Sequence, residues 1–289
     1  MILALAAALA GTLIYGVASV LQAVGAARAS GPAILRQPTY LLGLVCDGAA
    51  WLASLVALQR MPAFAVQSLL AGSVGVTAVL AWWFLGARLR RRDVVALLLL
   101  TAALVGVTAA AGSEAASPAP TWFTIAAWVA VAVLALLVAL CYPHGRWALL
   151  SAVSGAAFAG AALCARALQV SAGWAHLPLE PLPWAIAAFG ALGAVGYARA
   201  LESLRVGPAT ALLWAVEVLA AGAIGVAVLG DRVRPGMAGL AVLSVLVAVA
   251  ASGVLALSPA AEPAPVTSRS PGDPGSPGNR RSRSAGSAP

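Results

Sequence analysis

Lysine is missing altogether from the 289 residues, and charge of either sign is scarce: 17 arginines, nine acidic residues and two histidines, with 9% of the chain charged. A soluble domain carries about 25% charged and roughly 45–50% apolar residues. With 62% hydrophobic residues this chain falls outside that class. Cysteine is nearly as rare, and Cys46, Cys141 and Cys164 lie in or at the edge of apolar runs, so no disulfide framework is readable. No G-x-S-x-G, H-E-x-x-H or P-loop pattern occurs, and both histidines fall in loops, which leaves poor material for acid–base catalysis. Cys141 and His144 stand three apart, but a structural zinc site takes four ligands and no second pair exists. The expectation is a protein that is not an enzyme and holds no cofactor.

What the chain has instead is long apolar runs. A hydrocarbon core about 30 Å thick needs about 20 residues of helix to cross it. Nine runs qualify: 2–24, 40–58, 62–85, 94–111, 122–142, 147–165, 183–200, 208–229 and 237–257. They are continuous and lack the alternating polar residues of a barrel lumen, so they read as helices. The fold class expected is an all-α polytopic membrane helix bundle. The first run has no Lys or Arg before Arg28 and is longer than the 7–15 residues of a typical signal-peptide core, so it reads as a retained helix.

Nine crossings put the two termini on opposite sides. Thirteen of the arginines lie in the loops after runs 1, 3, 5 and 7 or in the tail; the other face holds Arg60, Arg166, Arg232 and Arg234. By the positive-inside rule the C-terminus is cytoplasmic and the N-terminus outside, in a multi-pass protein of the plasma membrane. The net charge of +8 therefore calls for no nucleic-acid partner. Trp82, Trp83, Trp122, Trp147 and Trp184 stand near run ends, where an interfacial aromatic belt places them. From residue 259 to 289, Pro, Gly, Ser and Arg dominate, a composition too poor in apolar surface to offset ordering entropy, and this tail is expected to be disordered.

The chain also repeats itself. At a spacing of 144, Gly11 and Gly16 fall on Gly155 and Gly160, and Leu85-Gly86-Ala87-Arg88-Leu89 falls on Leu229-Gly230-Asp231-Arg232-Val233. Ala71-Gly72-Ser73-Val74-Gly75-Val76 also resembles Ala221-Gly222-Ala223-Ile224-Gly225-Val226, at the incompatible spacing of 150; the 144 register holds across distant runs and is preferred. It divides the chain into a first four-helix repeat (1–112), a linking helix (121–142), a second four-helix repeat (146–258) and the tail (259–289). Five crossings separate equivalent helices, so the halves are inverted, a frequent transporter plan.

Ala57-Leu58-Gln59-Arg60-Met61-Pro62 followed by Leu85-Gly86-Ala87-Arg88, and Ala200-Leu201 through Gly207-Pro208 followed by Leu229-Gly230-Asp231-Arg232, resemble the EamA-type repeats of the drug/metabolite transporter superfamily. That family's usual plan is ten helices. The nine-helix plan, the external N-terminus and Tyr40-Leu41-Leu42-Gly43-Leu44 at the start of the second run look more like its NIPA-type magnesium transporter branch. The resemblance implies a membrane transporter, with magnesium or another divalent cation as one class of substrate.

Independently of family, the membrane interior nominates its own site. A carboxylate at the centre of a spanning helix costs about 2.5–3.5 kcal/mol on the insertion scale, so it is seldom there without a partner or a cavity. Asp47 and Glu217 lie mid-run, and they are not repeat mates: in the 144 register Asp47 falls on Ala191 and Glu217 on Ser73. Asp47 has two readings, a proton or cation site and a packing hydrogen bond. Glu217, with Trp214 one turn earlier, also has two readings, a cation site by carboxylate plus cation–π contact and a packing role. Both carboxylates are the metal ligands if the cargo is a divalent cation. Gln67 either faces the cavity or joins helices, and Arg199 either snorkels outward or pairs with Glu202 or an anionic substrate. The functional expectation is a secondary transporter of a small solute working by alternating access. The alternatives are a divalent-cation transporter and a non-transporting partner or regulatory subunit. The partners expected are the solute or ion, the bilayer and, as an option, a second copy of the chain.

Overall fold

The computed structural model describes residues 2–26, 28, 36–86, 89–112, 119–144, 146–168, 179–202 and 206–258. The tail at 259–289 lies outside the described residues. Among those described, the apolar runs are helices throughout: α1 (Ile2–Ala26), α2 (Pro38–Leu58), α3 (Ala63–Ala71), α4 (Ser73–Leu85), α5 (Arg91–Ala110), α6 (Phe123–Cys141), α7 (Trp147–Ala167), α8 (Pro181–Leu201), α9 (Val206–Val228) and α10 (Ala238–Ala256). Nine spans among the described residues are long and apolar enough to cross a membrane, α3 and α4 together making one. No strand occurs there beyond an isolated antiparallel bridge between Ala111 and Val233.

The expected single helix over 62–85 is interrupted at Gly72, where a hydroxyl of α1 reaches the chain. The Thr12 hydroxyl of α1 lies 2.8 Å from the Leu69 carbonyl and 2.9 Å from Ala8 O of its own helix; turned to Leu69 it occupies an oxygen that the next turn of an unbroken helix would use. The chain tightens to three-residue bonds, Gly72 N–H to Leu69 O at 3.0 Å and Gly75 N–H to Gly72 O at 2.9 Å. A side chain inserted into the hydrogen-bond ladder is a recognised cause of such breaks.

Helix ends follow local chemistry. Pro38 and Pro181 stand in the first turns of α2 and α8, where their missing N–H is not needed. α4 and α9 both run into a glycine in the left-handed region, Gly86 at φ 67° and Gly230 at φ 66°, a conformation other L residues enter only at a cost. These two glycines are 144 residues apart.

α3 is the centre of the bundle, with every residue from Ala63 to Ala71 buried. α1 packs along α2 and on α3 and α4; α7 packs along α8 and α9; α5 lies on α10, and α3 on α9. α6 touches only α7 and α8 among the stronger helix contacts and turns Ile125, Val129, Val133 and Leu136 outward. Small residues set the close approaches: a Cβ at Gly155 would collide with the Leu213 carbonyl of α9, and one at Gly16 with Val76 of α4. Trp82, Trp83, Trp122 and Trp184 are exposed at helix ends, as a belt at the membrane interface requires.

Candidate functional site

A cavity of about 760 Å³ runs between the helices, walled by α1, α2, α3 and α4 on one side and α7, α8 and α9 on the other. Its polar groups come in stripes of one helical face. Tyr15, Ser19 and Gln22 on α1, Asp47, Trp51 and Ser54 on α2, and Thr210, Trp214 and Glu217 on α9 each stand at i, i+4 and i+7. That spacing puts three side chains one above another on a helix. Gln67 of α3 and Ser73 and Thr77 of α4 complete the set around the Gly72 break.

The two carboxylates differ in their surroundings. Asp47 accepts a hydrogen bond from the side-chain amide of Gln22, one helix away. Glu217 is 7% exposed and forms no hydrogen bond or ion pair among the described residues. Tyr15 lies within electrostatic reach of both. Gln67 is 4% exposed, and its side-chain oxygen has no hydrogen-bond partner. Ser19, Ser54 and Thr77 spend their hydrogens on backbone carbonyls of their own helices, Tyr15 O at 2.9 Å, Trp51 O at 2.6 Å and Ser73 O at 2.9 Å. The hydroxyls of Tyr197 and Thr210 bond each other. Trp51, Trp214 and Phe158 supply aromatic wall, and no arginine, lysine or histidine lines the space among the described residues.

The cavity thus brings together Asp47, Gln67, Trp214 and Glu217. Ser73, the repeat mate of Glu217, lines the same space. Arg199 is elsewhere. It donates to the Tyr142 carbonyl at 3.0 Å, lies over the Tyr142 ring at 5.1 Å and pairs with Glu202, which ties the ends of α6 and α8 together. His144 is bonded through Nδ1 to Leu140 O at 3.0 Å. No group of three or more His, Cys, Asp or Glu side chains gathers among the described residues.

At the Leu58 and Ala165 end the cavity abuts a buried polar cluster that the sequence did not disclose. Arg166, counted in sequence as a loop arginine, is 3% exposed. Its Nε lies 3.0 Å from Oδ1 of Asp231, and its Nη1 donates to the Leu58 carbonyl at 2.7 Å. The second Asp231 oxygen accepts the Ala63 N–H at 2.6 Å. Gln59 donates to Ala165 O at 3.0 Å beside it. One ion pair thus satisfies the open carbonyl at the end of α2 and an open N–H at the start of α3, while bridging α7 to the α9–α10 connection.

Sequence reasoning also passed over Tyr15, Gln22, Trp51 and Tyr197. The i, i+4, i+7 stripes were there to be read for all but Tyr197. For Arg166 and Asp231 no local signal exists, since 65 residues separate them.

Fold and cavity define a class, a multi-pass membrane helix bundle with a largely apolar cavity inside it that carries two carboxylates. No protein-family model matches the chain, and neither a curated protein nor a solved structure matches it.

Proposed function

We propose that the chain is a secondary transporter of the drug/metabolite transporter type, which carries a small solute across the plasma membrane by alternating access. The observation that carries this reading is the cavity itself: a space of about 760 Å³ walled by helices of both halves, in which Glu217 has no hydrogen-bond or ion-pair partner among the described residues. Ligand pockets of about 300–1,000 Å³ are typical for small molecules, and binding at the interface of two inverted repeats is the common transporter arrangement. The 144-residue register supports the repeat, since its mates Gly86 and Gly230 share one unusual conformation and its mates Ser73 and Glu217 line one space.

Alternating access is testable without knowing the solute. Gly190 lines the cavity, and a side chain there meets open space. A single cysteine introduced as Gly190→Cys, in a chain otherwise free of cysteine, should react with an impermeant thiol reagent from both sides of sealed vesicles. Reaction from one side alone under every condition would favour the non-transporting partner. Orientation is checked in the same background: Ser113→Cys should label in intact cells and Ser282→Cys only after permeabilisation.

A further inference from the structure

We propose that the cavity binds an organic ammonium cation, a protonated amine bearing an apolar group, with its nitrogen taken by Glu217, Gln67 and Asp47 and its apolar part against Trp51, Trp214 and Phe158. This deepens the transport reading by naming the class of solute, and rests on it only for the claim that the cation moves.

Three observations converge. The first is charge: the titratable groups lining the cavity are Asp47, Glu217, Tyr15 and Tyr197, with no basic side chain among the described residues. A ligand that neutralises this wall is cationic, and an anion would meet two carboxylates with no counter-charge.

The second is hydrogen bonding. The Gln67 oxygen is buried without a partner and Glu217 has none among the described residues. A buried acceptor left unmade costs about 1–3 kcal/mol, more when it is charged. A ligand rich in N–H donors satisfies both groups. A carboxylate or ether ligand satisfies neither.

The third is size and surface. Magnesium keeps several of its waters when bound, and at about 30 Å³ of liquid volume per water even six would fill only a fraction of this space. The rest is aromatic and aliphatic wall, which a bare or hydrated metal ion leaves uncovered. Trp51 and Trp214 flank the acidic stripes of α2 and α9 four and three residues from the carboxylates, the placement in which ring faces and a carboxylate share one cation.

The test compares near-isosteres on the purified full-length protein: phenethylammonium, neutral 2-phenylethanol and anionic phenylacetate, with binding read by tryptophan fluorescence and thermal shift. Saturable binding of phenethylammonium at least tenfold tighter than of either isostere is expected, weakened at least tenfold further by Glu217→Gln and less by Asp47→Asn. The wild-type comparison stands alone if a variant does not stay monodisperse. Equal or tighter binding of the alcohol or the acid, or no saturable binding of phenethylammonium, overturns the proposal, as does displacement of the amine by equimolar magnesium. Counterflow of radiolabelled phenethylguanidinium, which stays charged, separates the two readings. A cation bound through Glu217 yet not moved by reconstituted protein leaves this site standing and removes transport. A neutral or anionic solute moved without competition from the amine leaves transport standing and removes this site.

Discussion

Arg166, in the last turn of α7, and Asp231, just beyond α9, form an ion pair at 3.0 Å with side chains 3% and 0% exposed. Removing one member of a buried pair typically costs about 3–5 kcal/mol, because the other charge is left without compensation, whereas replacing both with apolar groups of similar volume is often close to neutral. Arg166→Met alone and Asp231→Leu alone should each lower the thermal midpoint of the detergent-solubilised protein markedly. The double variant should lose less than the sum. Additive losses would show that the two residues act separately.

The unequal surroundings of the two carboxylates predict unequal mutants. Asp47 is bonded to Gln22, while Glu217 has no hydrogen-bond or ion-pair partner among the described residues. On the transport reading proposed above, the proton-coupling role is expected at Glu217 more than at Asp47. Glu217→Gln should abolish pH-dependent uptake while keeping expression and monodispersity, with Asp47→Asn weaker or substrate-specific. Tyr15 lies within electrostatic reach of Glu217, and Asp47 and Tyr197 line the same cavity. Wild-type pH dependence in both variants, once a transported solute is in hand, would leave the carboxylates as packing elements.

Filling the cavity separates binding from folding. A side chain at Gly190 meets nothing within 4 Å, so Gly190→Phe should leave the melting temperature within a degree or two and remove ligand binding. Gly86→Ala should do the reverse. Nothing lies within 4 Å there either, but φ is +67°, and a left-handed L residue costs roughly 1–2 kcal/mol. Loss of stability at Gly190 with none at Gly86 would contradict the geometry of both positions.

The chain just past α10 is held to α5 by a hydrogen bond. Ser258 is fully buried, and its hydroxyl donates at 2.8 Å to Asp93, the same carboxylate oxygen that accepts the Arg90 N–H at the start of α5. Bonds to charged groups contribute about 1.5–3 kcal/mol, so Ser258→Ala should destabilise the protein measurably. Truncation after Ser258 should be tolerated, and truncation after Leu257 should resemble Ser258→Ala. Equal melting temperatures for the two truncations would remove this role.

Much of the molecule is written locally. Whether a run crosses a membrane depends on its own length and apolarity, so the nine spans were legible, with ends within about three residues of those observed. The 144 register paired Gly86 with Gly230 in the sequence, but that both are left-handed turns emerged only from the structure. Asp47 and Glu217 announced themselves because a carboxylate in an apolar run is costly wherever the helix sits. What only tertiary structure decided were contacts between distant helices. Arg166 looks like a loop arginine until α7 meets the α9–α10 connection, and Gly72 looks like one glycine among many until Thr12 takes the Leu69 carbonyl. Gln67 could equally have joined two helices; its burial beside an open cavity depends on how α1, α2, α7 and α9 surround α3. Hydrophobicity settles which segments enter the bilayer, but lipid satisfies every apolar face equally, so which face turns inward is left to close packing and to the few polar groups that need one another.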